Sequence, residues 1–150
     1  MSQDGPGIHL ETSVGYLLKE ASSALRSAME AVLRPLGMTI THYSCLELLA
    51  QRPGLSSSDL ARGTFVTRQS MNVLLQALER DGLVTRAEQA TTGRVLPTEL
   101  TDAGRRQLAT ASAAVRGVED RMKSGMDETE QAVFADLLAR SITSLRDARP

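Results

Sequence analysis

Residues 56–101 read SSSDLARGTFVTRQSMNVLLQALERDGLVTRAEQATTGRVLPTELT. Ser56 precedes Asp59 by three residues, which is the spacing of a capping box that begins a short helix. Thr67 is a favourable N-cap for a second helix, and Gly82 is a favourable residue to end it. The second helix carries a single apolar stripe formed by Met71, Leu74, Leu75 and Leu78. The stretch therefore predicts two helices in close succession.

Two short strands are predicted after Gly82. The segments LVTRAEQ (83–89) and RVLPTEL (94–100) read as strands, and the polar loop ATTG between them suits a β-hairpin. Pro97 indicates an edge strand, because proline cannot donate a ladder hydrogen bond. A short helix, a second helix and a hairpin in this order are typical of a winged helix-turn-helix, in which the second helix reads DNA and the hairpin is the wing.

Long amphipathic helices flank this centre, because apolar residues recur before and after it at steps of three and four. Pro35 and Gly37 separate the first two of these helices. The flanking helices are predicted over 12–33, 41–50, 102–123 and a last segment capped by Asp127 and Glu130. The predicted fold class is mostly α with a small β-hairpin wing.

The composition is typical of one soluble globular domain of 150 residues, with 41% hydrophobic and 23% charged residues. No apolar run approaches the roughly 18 residues that span a bilayer, and the opening segment MSQDGPGIHLETS lacks the features of a secretory signal. We therefore expect a single cytoplasmic domain, 1–150, that does not contact a membrane. One thiol, Cys45, and two histidines, His9 and His42, make a poor metal site, so neither a metal nor a cofactor is expected.

The net charge of −1 does not indicate a nucleic-acid partner, but the charge is unevenly distributed. Between Arg52 and Arg106, eight arginines stand against six acids, which places the positive excess in the middle third. The predicted recognition helix also leaves an acid-free face outward, formed by Arg68, Gln69, Ser70, Asn72, Val73 and Gln76. Arginine pairs with guanine, Asn or Gln pairs with adenine, and valine can touch a thymine methyl group. Any exposed helix carries polar residues, but most solvent-facing helices mix glutamate and lysine freely, so this face favours DNA reading.

Three more positions complete the predicted DNA surface. Thr67, together with Ser70, offers hydroxyl groups to a phosphate at the helix N-terminus. Arg94 follows the hairpin loop, where a wing tip can enter the minor groove, although a solvated loop arginine is the alternative. Arg86 ends the first strand and is expected to contact a phosphate or brace the wing rather than read a base.

The segments VTRQSMNVLLQALERDGLVTR and TTGRVLPTELTDAGRR resemble the recognition helix and wing of the multiple antibiotic resistance regulator (MarR) family. THYSCLELLAQRPGLSSSDLA resembles the second helix of that family and the turn after it, and the whole resemblance covers about residues 12–145. The residues that carry the most discriminating part are Leu78, Glu79, Gly82, Leu83, Val84, Arg86, Leu100, Thr101 and Gly104.

The resemblance implies a homodimer that binds double-stranded DNA. Helices within 12–36 and 102–147 would interlock, and the two winged regions, 40–101, would each read one half of a near-palindrome. The family wing usually carries an Asp two residues before its arginine; here that position is Thr92, so Arg94 is expected to be held less rigidly. The residues at DNA-contacting positions of the family would be Thr67, Gln69, Ser70 and Arg94.

The resemblance also implies a small phenolic or aromatic acid as effector, bound between the dimer helices and the winged region. The candidate residues in that region are Tyr16, Met29, Met38, His42 and Tyr43. Met and Tyr at helical spacing also suit a core, and His42 near a helix start also suits a cap or a surface position.

We therefore predict a ligand-responsive repressor that binds a pseudo-palindromic operator as a homodimer. One alternative is a redox-sensing regulator that uses Cys45, although its apolar neighbours and the lack of an adjacent base favour a packing role. Another alternative is a winged-helix protein-interaction module without sequence-specific DNA binding. The sequence contains no glycine-rich phosphate loop, nucleophile elbow or paired metal-ligand motif, so we do not expect an enzyme.

Overall fold

Helices dominate the computed structural model, which describes residues 7–86 and 97–147. The elements are α1 (Val14–Leu33), α2 (Ile40–Gln51), α3 (Ser57–Thr64), α4 (Arg68–Arg80), β1 (Val84–Arg86), β2 (Thr98–Leu100), α5 (Asp102–Lys123) and α6 (Glu128–Arg146). This order confirms the predicted mostly α fold with a small hairpin. Within the described ranges, no helix is both long enough and apolar enough to cross a membrane.

The helix-turn-helix begins at the predicted caps. The Ser56 hydroxyl accepts a hydrogen bond from the Asp59 N–H at 3.1 Å, and the Asp59 carboxylate accepts one from the Ser56 N–H at 3.3 Å. Thr67 Oγ1 accepts the Ser70 N–H at 3.0 Å and so caps α4. These bonds satisfy backbone donors that a helix N-terminus otherwise leaves unpaired.

The junction between α1 and α2 differs from the prediction. A 3₁₀ turn, Arg34–Leu36, follows α1, because Pro35 has no N–H with which to continue the α-helical bonding pattern. Gly37 then reverses the chain at φ 73°, a left-handed conformation that suits glycine. Helix α2 begins one residue earlier than predicted, because Thr39 caps it by accepting the His42 N–H at 3.1 Å.

One core holds the winged region together. Buried side chains come from every element between the end of α1 and the first half of α5. They are Leu33, Met38, Cys45, Leu46, Leu49, Leu60, Ala61, Met71, Leu75, Leu78, Val84, Leu100, Leu108 and Ala111. Three of the four residues in the predicted α4 stripe are fully buried, whereas Leu74 is partly buried. The orientation of α4 is therefore set by its inward face.

The segment 100–104 joins the hairpin to α5. Strands β1 and β2 pair antiparallel, with Val84 opposite Leu100, over Val84–Arg86 and Thr98–Leu100. The parts of the predicted strands at 87–89 and 94–96 lie outside the described residues. Thr101 Oγ1 donates to the Gly82 carbonyl at 2.6 Å and accepts the Gly104 N–H at 3.0 Å. A Cβ atom at Gly104 would lie 2.1 Å from the Leu83 carbonyl oxygen, so only glycine fits there. The pattern formed by Leu100, Thr101 and Gly104 is thus required for packing the hairpin against α5.

The chain divides into two compact units, Met1–Arg116 and Gly117–Pro150, and α5 runs through the boundary. In the second unit, the Asp127 carboxylate accepts the Glu130 N–H at 2.8 Å, which confirms the predicted cap of α6. No described side chain of α6 is buried. Large apolar side chains of this helix are exposed at Val133, Leu137, Ile142 and Leu145.

Candidate nucleic-acid interface

The N-terminus of α4 presents a hydroxyl pair. Thr67 Oγ1 donates to Ser70 Oγ at 2.9 Å while accepting the Ser70 N–H. Because the Thr67 proton is used in this bond, the Ser70 hydroxyl proton is free to point outward. Both residues are exposed, so a phosphate could meet a hydroxyl donor and the positive end of the helix together.

The outward face of α4 is the one that the sequence predicts. Met71, Leu75 and Leu78 point into the core, and the opposite side of the helix is therefore left open. All the predicted DNA-reading positions of the helix are exposed, namely Thr67, Arg68, Gln69, Ser70, Asn72, Val73 and Gln76. Val73 is 63% exposed although it is apolar, which leaves its methyl groups available to a partner. The arrangement has the residue types and the geometry of a recognition helix.

Arg86 lies closer to the body of the protein than the other predicted contacts. Its Nε atom is 3.9 Å from Glu79 Oε2 in the last turn of α4, and its side chain is only 23% exposed. The guanidinium therefore links β1 to α4, which fits the predicted bracing of the wing. Arg94 and Thr92 lie outside the described residues.

The turn between α3 and α4 contains a residue that the sequence reading did not single out. Phe65 ends α3 with φ 61° and ψ 39°, in the left-handed region, and its side chain is 83% exposed. The sequence signal available for Phe65 was a bulky aromatic residue between two predicted helices, at a position where glycine is common.

The comparison with known proteins agrees with this geometry. Residues 36–95 match the MarR family profile. The HTH-type transcriptional repressor Rv2887 of Mycobacterium tuberculosis is 39% identical over 134 residues, which are 89% of this chain and 96% of the repressor. The chain belongs to the MarR family.

Two crystal structures of the same mycobacterial MarR protein resemble the chain closely. The complex of Rv2887 with DNA has a TM-score of 0.72 and 38% identity, covering 86% of this chain and 97% of that one. The complex of Rv2887 with salicylic acid has a TM-score of 0.71 and 38% identity, covering 93% of this chain and 98% of that one.

The residues predicted for a MarR effector site are not all brought together within one chain. Tyr16 and Met29 both lie on α1, where thirteen residues separate them by about 20 Å. Met38 is buried in the core, and Met29 and Tyr43 are partly buried against that core. Tyr16 is 40% exposed near the start of α1.

A cleft of about 410 Å³ lies where α1 meets α2. It is lined by Arg26, Glu30, Arg34, Met38, Thr39, Ile40 and Thr41, so Met38 is the only member of the predicted effector set that lines it. Arg26 Nε is 3.4 Å from Glu30 Oε1, and both side chains are largely exposed. The sequence analysis did not single out Arg26 and Arg34. The pattern that could have indicated them was their spacing of eight residues, about two helical turns, across the end of α1.

The single thiol is part of the core. Cys45 is fully buried, and its Sγ atom is 3.9 Å from Met71 Sδ. Burial raises the pKa of Cys45 to about 12. Because the thiolate is the reactive form, this environment speaks against the redox-sensing alternative and favours packing.

His42 is half-buried beneath the cap of α2. Burial lowers the pKa of His42 below its usual value, although the Gln107 side chain and the charge of Asp81 partly oppose this effect. The three residues connect α2, α5 and the end of α4. The imidazole is therefore half-buried rather than the surface residue that its sequence position also allowed.

Proposed function

We propose that this MarR family protein is a transcriptional repressor that binds a pseudo-palindromic operator as a homodimer and responds to a small aromatic acid. The observation that carries the proposal is the exposed, acid-free face of α4 opposite the buried side chains Met71, Leu75 and Leu78. The DNA complex of the relative Rv2887 supports the same function. Because a repressor must share a compartment with the DNA that it binds, we also propose a cytoplasmic location. The relatives are regulators, and we assign no catalytic role.

The DNA contacts follow from the chemistry of α4. In the major groove, Gln69, Asn72 and Gln76 can each pair with the edge of an adenine, and Arg68 can pair with guanine. The Ser70 hydroxyl and the first N–H groups of α4 would hold a phosphate. Arg94 remains the proposed wing contact in the minor groove, and Arg86 would support the wing or contact a phosphate.

The proposed dimer is supported by two exposed apolar surfaces. The first half of α1 exposes Val14, Tyr16, Leu17 and Leu18 by 39–70%, and α6 exposes Val133, Leu137, Ile142 and Leu145 by 45–77%. Apolar patches of this kind mark interaction surfaces, and a two-fold dimer matches a palindromic site. We therefore propose that helices within 12–36 and 102–147 form the dimer.

The proposed effector site is the cleft between α1 and α2. Its volume of about 410 Å³ suits a small ligand. Arg26 and Arg34 could bind a carboxylate, while Met38 and Ile40 offer apolar surface to a ring. The salicylic acid complex of Rv2887 supports this ligand class. A partner subunit could supply Tyr16 to the same ligand.

The experiment is a binding titration by fluorescence anisotropy, with a duplex that the protein itself selects from a random-sequence library. Phosphate contacts release counterions, so affinity should fall linearly on a log–log plot as salt rises. An affinity that does not change with salt, or equal affinity for the selected and a scrambled duplex, would favour the protein-interaction module instead.

The effector site is tested in the same assay by adding salicylate as the probe. Salicylate should weaken operator binding by the native protein, and Arg34→Gln should reduce that response while binding the duplex normally. Arg121→Gln, which removes another exposed arginine outside the cleft, is the matched control. An unchanged salicylate response in Arg34→Gln would place the ligand elsewhere.

A further inference from the structure

The turn between α3 and α4 is built around an unusual residue. Phe65 is the only residue other than glycine with a positive φ in the described ranges 7–86 and 97–147. Its N–H still closes the end of α3 by donating to the carbonyls of Ala61 and Arg62. A bulky side chain in the left-handed region is costly, and glycine would adopt the same turn without strain.

Nothing in the fold of the described chain explains a phenylalanine at this position. Its side chain is 83% exposed, the most exposed large apolar side chain of the described residues, so the core gains little from it. The residue therefore combines backbone strain with exposed aromatic surface. Strained residues of this kind cluster at functional sites, where they aim a side chain at a ligand.

The surroundings of Phe65 indicate which ligand it faces. It precedes Thr67, the cap of α4, by two residues, and a recognition helix presents its N-terminal end to the groove. Arg62 forms an ion pair with Asp59, whereas Arg68, the first residue of α4, is exposed, and no acid lies between residues 60 and 78. The charge near the turn is thus complementary to DNA.

We propose that Phe65 is an apolar DNA contact, directed by its left-handed backbone onto a thymine methyl group at the edge of the major groove. The proposal rests on the DNA-binding function argued above. Phenylalanine contacts thymine methyl groups in the major groove, and the faces of deoxyribose offer a second apolar surface of the same chemistry. This contact would add to the DNA affinity that the hydrogen bonds of α4 supply.

The test separates the side chain from the backbone. Phe65→Asn and Phe65→Gly suit the left-handed turn but remove the apolar surface, whereas Phe65→Leu keeps apolar bulk with the same backbone strain. The probe is the duplex that the native protein selects from a random library. We expect both Asn and Gly variants to bind it about tenfold more weakly, and Leu to lose less.

Two controls guard against an indirect effect. The thermal midpoint of Phe65→Asn should equal or exceed that of the native protein, because little packing is lost and strain is relieved. Its sedimentation behaviour should match that of the native protein at equal concentration. A variant that sediments as a smaller species would show that Phe65 contacts a second copy of the chain, and this outcome would overturn the inference.

A duplex with uracil in place of thymine identifies the apolar surface. If Phe65 contacts the methyl group, the difference in affinity between native protein and Phe65→Asn should disappear on this duplex. A difference that persists would mean that Phe65 contacts deoxyribose instead, and the thymine contact would be overturned. Native affinity in Phe65→Asn and Phe65→Gly on both duplexes would overturn the inference. Because the native protein would still bind its selected duplex in that case, the proposed function would stand.

Discussion

The substitution Gly104→Ala tests how the hairpin is held on α5. The new Cβ atom would lie 2.1 Å from the Leu83 carbonyl oxygen and 3.3 Å from Leu100 Cδ2. The first distance is more than 1 Å shorter than ordinary contact, roughly 3.5 Å. The same Leu83 oxygen accepts the Thr101 N–H at 3.1 Å, so moving it disturbs that bond as well.

These effects give the expected magnitude. Overpacking costs about 1–3 kcal/mol, and a weakened hydrogen bond costs about 1 kcal/mol. The higher helix propensity of alanine returns up to about 1 kcal/mol. We expect a net destabilisation of about 2 kcal/mol, or a fall of about 4–8 °C in the thermal midpoint for a domain of this size.

Gly117→Ala is the matched control, because it makes the same change in the same helix. A Cβ atom at Gly117 meets no described atom within 4 Å, so we expect a gain of about 0.5–1 kcal/mol. Thermal unfolding followed by circular dichroism, at equal protein concentration, measures both variants. If Gly104→Ala proved as stable as Gly117→Ala, the close approach of α5 to Leu83 would be refuted.

Three further predictions concern titration, reactivity and recognition. Because the pKa of His42 is lowered, the folded state binds its proton less readily than the unfolded state. This group should therefore leave the free energy of unfolding unaffected above pH 6.5, its usual pKa, and reduce it as the pH drops from 6.5 to the lowered pKa. Chemical denaturation at several pH values should show a smaller acid loss in His42→Gln, and an identical loss would contradict this account. Cys45 should resist thiol reagents while the protein is folded and react once denaturant exposes it, and peroxide treatment of the folded protein should leave its DNA affinity unchanged. Rapid labelling of the native protein would disprove the burial of Cys45. Gln69→Ala should narrow the affinity difference between selected and random duplexes by about 1–3 kcal/mol, whereas Arg86→Ala should weaken both alike; equal losses on both duplexes for Gln69→Ala would remove its reading role.

Much of the fold could be predicted because its signals are local. A capping box places its partners three residues apart, and an apolar stripe repeats every turn, so Ser56, Asp59 and Thr67 indicated helix starts that the structure confirms. The outward face of α4 followed from the same periodicity. The hairpin was predicted from the residue types in LVTRAEQ and RVLPTEL, and the structure pairs Val84–Arg86 with Thr98–Leu100, while 87–89 and 94–96 lie outside the described residues.

The candidate site was predictable only in part. Residues on one helix face can be read from spacing, and this is why the predicted positions on α4 are all exposed. The cleft between α1 and α2 was missed because the pattern did not anticipate the 3₁₀ turn at Arg34–Leu36, after which Met38 lines the same cleft as Arg26 and Arg34. The exposure of Phe65 was also missed, because its apolar side chain alone suggests burial.

Helix positions, their caps and the polar face of α4 are properties of neighbouring residues, and they can therefore be obtained from the order of amino acids. Other features depend on contacts between distant segments. Gly104 is required because α5 passes the Leu83 carbonyl, Cys45 is buried where α2 packs against Met71 of α4, and Arg86 turns toward Glu79. Tertiary packing decides these features because residues far apart in the chain share one volume, and no local periodicity reports how that volume is filled.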